Sequence, residues 1–232
     1  MMTEGLSQST QQNAAEQPQI QQEQKKHRRA VQGDEPAVLC DIYEDDANIA
    51  IWHRDLSDSL QRQVSDFIAA YPTFQTSMTV SPQSAHASVQ EALKSAAYSE
   101  LSASIAELVD MFCCLFELKR VGLRLTVLSQ AMCPRFHVDK VPCRLVTTFQ
   151  GIATEWLPHS HVDRSQLGAI GKIDSESGLY ANAKDIQQLT AGDVALLKGE
   201  LWEGNESAGL VHRSPAVNDG DMRLLLTLDF IN

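Results

Sequence analysis

Cys133-Pro134-Arg135-Phe136-His137-Val138-Asp139-Lys140 lies just past the middle of this 232-residue chain, and the rest is read outward from it. On an extended strand successive side chains alternate faces, so His137 and Asp139 point one way, Phe136 and Val138 the other. An imidazole and a carboxylate converging above a sheet supply two of the three ligands of a facial metal triad; the third must come from a distant histidine. Beyond residue 161 the chain holds a single histidine, His212, in Leu210-Val211-His212-Arg213-Ser214-Pro215. Arg223 follows eleven residues later, at the head of the last strand.

That last strand, Met222 to Phe230, has two unlike faces. Met222, Leu224, Leu226, Leu228 and Phe230 make one wholly apolar row, while Arg223, Leu225 and Thr227 share the other. The apolar row is expected against helices. Arg223 then points into the interior, where an isolated charge is costly unless a bound carboxylate pairs it. Between the two motifs, period-2 runs predict strands at Val121–Leu128, Cys143–Phe149, Thr154–Leu157 and Val194–Lys198, the last entered through the Gly192-Asp193 turn. Residues 159–178 are polar and carry glycines, which reads as a long surface loop; the His159/His161 pair on it is expected to be solvated.

Toward the N-terminus the period changes. Phe74–Val80 predicts a short strand. Ser84 to Lys119 has helical spacing with a break near Ala97–Ser99, and its adjacent Cys113 and Cys114 point about 100° apart, as core residues rather than a shared chelate. Leu60, Val64, Phe67 and Ile68 form one stripe of a helix running to Tyr71, with Asp55 or Ser57 as its cap. Ile49–Arg54 alternates as a strand that ends in Trp52, His53 and Arg54. Residues 1–33 carry nine glutamines and few apolar groups, and are expected to be a disordered tail. Its basic run, Lys25 to Arg29, reads as a solvated patch. The sum is an α+β protein: a single domain over 37–232, with a helical part (55–119) packed on a β part (121–232) in sandwich or barrel form.

Nineteen Lys and Arg against thirty Asp and Glu give a net charge of −11, which disfavours nucleic acid and anionic membrane as partners. No apolar run approaches the ~18 residues that cross a bilayer. The start lacks the apolar core of a secretory signal, and the five cysteines are an odd number, so reduced thiols in the cytoplasm are expected. Gly-x-Ser-x-Gly and Gly-rich phosphate loops are missing from the sequence.

Four stretches together resemble a bacterial family, domain of unknown function 1826. They are Cys133-x-x-Phe136-His137-x-Asp139; Arg144-Leu145-Val146-Thr147-Thr148-Phe149-x-Gly151-x-x-Thr154-Glu155-Trp156-Leu157; His212-Arg213-Ser214-Pro215; and Arg223-Leu224-Leu225-Leu226-x-Leu228-Asp229. Trp52-His53-Arg54 fits the family's early Trp-x-Arg, and the likeness spans roughly residues 37–232. More loosely, the order His-x-Asp, distant His, then Arg resembles the Fe(II)/2-oxoglutarate oxygenases. That resemblance implies a cupin-like double-stranded β-helix barrel with His137, Asp139 and His212 as iron ligands. It also implies Arg223 as the anchor of the 2-oxoglutarate distal carboxylate, and a small-molecule or protein substrate that is hydroxylated. Arg144, five residues past Asp139, is a competing carboxylate anchor, and Glu155 and Trp156 are candidates for the mouth of the pocket. A non-catalytic zinc site is the alternative. Cys133, His137 and Cys143 lie within eleven residues, zinc favours thiolate and imidazole, and the family resemblance carries an association with zinc-limitation responses.

Overall fold

The computed structural model describes residues 27–231. In chain order the elements are β1 (Arg29–Gly33), β2 (Ala47–Trp52), α1 (Asp58–Ala70), β3 (Gln75–Val80), α2 (Pro82–Leu93), α3 (Ser99–Leu115), β4 (Val121–Leu128), β5 (Cys143–Gln150), β6 (Glu155–Leu157), α4 (Asp174–Ser177), β7 (Gln187–Gln188), β8 (Val194–Lys198), β9 (Val211–Arg213) and β10 (Arg223–Asp229). The helix starts follow their side-chain chemistry. Ser57 accepts from the Leu60 N–H at the head of α1, and Ser81 forms a reciprocal capping box with Ser84 at α2. The expected helical break falls after α2, where Lys94 takes a left-handed φ of 59° and Ala96–Tyr98 make a 3-10 turn.

Two sheets form. The larger has seven strands in the order β1-β2-β8-β5-β10-β4-β3, and the smaller has three, β7-β6-β9. An isolated antiparallel bridge, His137 to His212, extends the smaller sheet by one residue pair. From β4 onward the chain alternates between them: β4 large, His137 small, β5 large, β6 and β7 small, β8 large, β9 small, β10 large.

Strand alternation then sorts the side chains into layers. Leu224, Leu226 and Leu228 of β10 face α1, α2 and α3, in one core with Phe67, Val89, Leu101, Ile105, Leu108 and Phe112. The three leucines are fully buried, each worth about 1.5–3 kcal/mol relative to exposure. On the other face of the large sheet, Ile49, Ile51, Val146, Ala195, Leu197 and Leu225 meet Trp156, Leu189 and Leu210 from the small-sheet side. Helices, large sheet and small sheet are therefore stacked in that order, and the inner faces of the two sheets enclose the polar site.

The structure differs from the sequence reading in two places. Residues 29–33, expected in the tail, form β1, parallel to β2. Arg29 pairs with Asp46 at 2.9 Å and with Glu44, and Arg28 donates to Asn205 Oδ1 at 2.7 Å, which ties the segment down. Residues 1–26 of the expected tail, with Lys25 and Lys26, lie outside the described residues. Residues 159–178 are more than a surface loop: they carry α4 and contribute Val162 to a third core with Phe136, Leu157, Leu179 and Val211. The strands form two sheets with no ladder between them among the described residues. Among those residues no helix is long and apolar enough to cross a membrane.

Candidate metal centre

His137 and His212 face each other across the isolated bridge and exchange both backbone hydrogen bonds, His137 N–H to His212 O and His212 N–H to His137 O, each 3.0 Å. Their rings come within 4.6 Å centroid to centroid. Two residues on from His137, Asp139 turns to the same side, with Oδ1 3.8 Å from His137 Nε2 and Oδ2 3.5 Å from His212 Nε2. One ligand atom from each residue lies within 4.8 Å of the others, and no further group of this kind occurs among the described residues.

The tautomers are fixed by what the other ring nitrogens touch. His137 Nδ1 is 2.9 Å from the Arg135 carbonyl and His212 Nδ1 is 3.2 Å from the Leu210 carbonyl. A carbonyl only accepts, so each Nδ1 carries the proton and each Nε2 presents a lone pair to the shared point. Burial, only partly offset by Asp139, pushes the His212 pKa down to about 4, so that imidazole is neutral at pH 7. Two imidazoles and one carboxylate fit a divalent transition metal.

Asp139 is itself held. Arg144 Nη1 donates to its Oδ2 at 2.8 Å, while Arg144 Nε and Nη2 grip Asp229 at 2.7 and 3.1 Å. Arg144 therefore orients the Asp139 carboxylate, and its fork is already taken by Asp229. Arg144 also lines the cavity named below, but each of its three nitrogens is engaged by Asp139 or Asp229.

Arg223 behaves differently. Its side chain is fully buried, and its partners are neutral hydroxyls: Ser214 Oγ at 2.9 Å, Thr148 Oγ1 at 3.2 Å and Thr154 Oγ1 at 2.9 Å. Nε has no hydrogen-bond partner, and no carboxylate pairs with this guanidinium among the described residues. Burial pulls its pKa down to about 10, so the charge persists at pH 7. One cavity is lined by His137, His212, Arg223, Thr154, Ser214, Thr126 and Thr227, among others.

Several expected residues lie elsewhere. Glu155 accepts from Arg213 Nε at 2.6 Å, and Trp156 is buried between the sheets beside His212 in the ladder; neither lines the cavity. Cys133 does line it, but Cys143 is buried on the helix side of β5, where burial pushes its thiol pKa far up. The Cys133–His137–Cys143 set is thus not assembled. His53 and Arg54 bind Asp193 and the Gly192 carbonyl. His159 is buried beside Arg164, and His161 pairs with Asp185 at 3.2 Å. Sequence reasoning missed Asp174, whose buried carboxylate accepts from the Phe136 N–H at 2.8 Å and from Arg213 at 3.4 Å. It holds the backbone beside His137 in place. No periodic signal marks it.

Fold and site together describe a two-sheet α+β protein with a His-Asp-His centre set across a cavity from a buried guanidinium. By sequence the chain belongs to the family described as "Protein of unknown function (DUF1826)", whose model matches residues 33–229. No curated protein matches it. Among solved structures, it is similar to a dioxygenase for auxin oxidation from rice, at 11% identity and a TM-score of 0.48, over 88% of this chain and 83% of that one. A Pseudomonas putida prolyl-4-hydroxylase aligns at 13% identity and a TM-score of 0.44, over 84% and 96% of the two chains. HygX from Streptomyces hygroscopicus with iron bound aligns at 10% identity and a TM-score of 0.42, over 78% and 80%. Identities are low and these TM-scores fall below 0.5, so the reading of the site rests on its own geometry.

Proposed function

We propose that this protein is an Fe(II)- and 2-oxoglutarate-dependent oxygenase. The observation that carries the reading is Arg223: a buried guanidinium without a carboxylate partner, in the same cavity as the His137 and His212 imidazoles. A buried charge of this kind is costly unless a ligand pairs with it, and its planar fork matches a carboxylate. Strand order supports the same reading. The alternation of β4 to β10 between two sheets, with the His137 bridge supplying the eighth member, is the winding of a double-stranded β-helix.

In this reading His137, Asp139 and His212 would hold the metal. The Arg135 and Leu210 carbonyls lock both imidazoles in the ligating tautomer. Arg144 keeps Asp139 aimed, with Asp229 fixing Arg144 in turn. Arg223 takes the distal carboxylate of 2-oxoglutarate, helped by Ser214, Thr148 and Thr154. When bound, iron with 2-oxoglutarate and dioxygen supplies the oxidising chemistry: succinate and carbon dioxide form, and one oxygen atom goes to the substrate.

The test is metal content on anaerobically purified protein, followed by titration with 2-oxoglutarate while the visible spectrum is recorded. One iron per chain and a new charge-transfer band are expected, with the band absent in Arg223→Met. Stoichiometric zinc with no response to 2-oxoglutarate would replace this reading with a zinc-binding role.

A further inference from the structure

The cavity holds a second guanidinium that neither the metal nor Arg223 uses. Arg124 sits on β4 with its side chain on the cavity side of the large sheet, solvent-exposed at the rim of the lining. Its neighbours Leu123 and Leu125 turn the other way, into the helix-facing core. Unlike Arg144 and Arg213, which are held by Asp139, Asp229, Glu155 and Asp174, Arg124 has no ion-pair or side-chain partner among the described residues. Its partner directly across the ladder on β10 is Thr227, 9% exposed, whose hydroxyl has no hydrogen-bond partner; Thr126 Oγ1, two residues along the same face, is 4% exposed and equally unpartnered. Beside them the same cavity is lined by Met132, 41% exposed, and by Val146 and Leu225. An unpaired cation flanked by unsatisfied hydroxyls and an apolar patch is a local complement to an organic anion, set in a chain whose net charge is −11.

We propose that Arg124 is a specificity-determining residue. It recognises the carboxylate or phosphate of an amphipathic anionic substrate, whose apolar part lies along Met132. This rests on the oxygenase reading for its chemistry, but its own test is a binding measurement.

Protein carrying [methyl-13C]methionine, loaded with Zn(II) and 2-oxoglutarate so that no turnover occurs, is titrated with phenylacetate, phenyl phosphate and neutral phenylacetamide while the Met132 methyl signal is followed. One or both anions should shift that signal saturably, with the amide at least roughly tenfold weaker, as loss of a charge-assisted pair demands. Arg124→Gln should remove that anion preference and Arg124→Lys should keep part of it, with metal and 2-oxoglutarate affinities unchanged in both. The carboxylate and phosphate arms identify the group preferred. Equal anion binding by Arg124→Gln, or no anion that moves Met132, overturns the proposal. Loss of the 2-oxoglutarate response in the native chain would instead sink the oxygenase reading. The anion arm, repeated without metal or 2-oxoglutarate, still reports on Arg124.

Discussion

Arg223 and Lys198 are both cations placed where the fold alone gives them little return, and they separate function from stability in different ways. Arg223 is surrounded by hydroxyls that satisfy part of its donor set and none of its charge. Arg223→Met should therefore leave the ligand-free protein as stable or more stable, by up to roughly 1–4 kcal/mol, while 2-oxoglutarate affinity drops tenfold or more. Thermal unfolding and isothermal titration read the two effects, and a large loss of ligand-free stability would assign Arg223 to the core instead. Lys198 is 2% exposed, donates to the Glu44 carbonyl at 2.9 Å and lies 4.7 Å from the Trp202 ring centroid. Burial, with Arg28 nearby, lowers its pKa from 10.5 to about 8. Between those two values the unfolded chain binds a proton that the folded chain does not, so this group adds stability as pH rises through that window and no slope below it. Urea unfolding from pH 7 to 10 should show that rise in the native chain and lose it in Lys198→Met. Groups common to both proteins cancel in the difference.

Among the elements, the turn after β8 has the greatest leverage on the site. A Cβ on Gly199 would lie 2.0 Å from the Val141 carbonyl oxygen and 2.8 Å from that of Asp139. Backbone, not a flexible side chain, fills the space, and the Glu200 N–H also bonds the Asp139 carbonyl at 3.0 Å. Gly199→Ala should push the 139–142 segment away, cost about 1–3 kcal/mol and weaken metal binding at least tenfold with all three ligands intact. Elemental analysis after dialysis against metal-free buffer checks this, and undiminished metal content would refute it. What the sequence made readable was local and periodic. The i, i+2 spacing of His137 and Asp139, and the two faces of β10 that expose Arg223 on one side, needed only strand alternation. Contacts between distant segments carried no such signal. Asp229 lies 85 residues from Arg144, so the clamp behind Asp139 left no trace. Depth along a strand is equally silent: Glu155 and Trp156 alternate as expected yet fall outside the cavity. β1 buries only Val31 of its five residues, which made it look like tail.

For the molecule as a whole, the proposed metal centre would couple ion binding to folding. It would join a segment that precedes β5 to one that precedes β10, a pair linked by an isolated backbone bridge. Ligand that binds only the folded state stabilises it by mass action, about 4 kcal/mol at a thousandfold excess over Kd. In a domain of this size that is roughly 8–16 °C in Tm. The native chain should show that increment on adding Fe(II) under anaerobic conditions or Zn(II) in air, and His212→Ala should show none. A native Tm indifferent to both ions would leave the centre without a metal.

That lone bridge has one more consequence. Backbone hydrogen bonds hold His137 and His212 in register, so an ion bound between them would act as a fastener. It would close a loop that contains β5 to β8, much as a disulfide would, but one that a chelator can undo. Removing the ion should unlatch this seam first: amide exchange at His137 and His212 should quicken while the leucine ladder of β10, buried under the helices, stays protected.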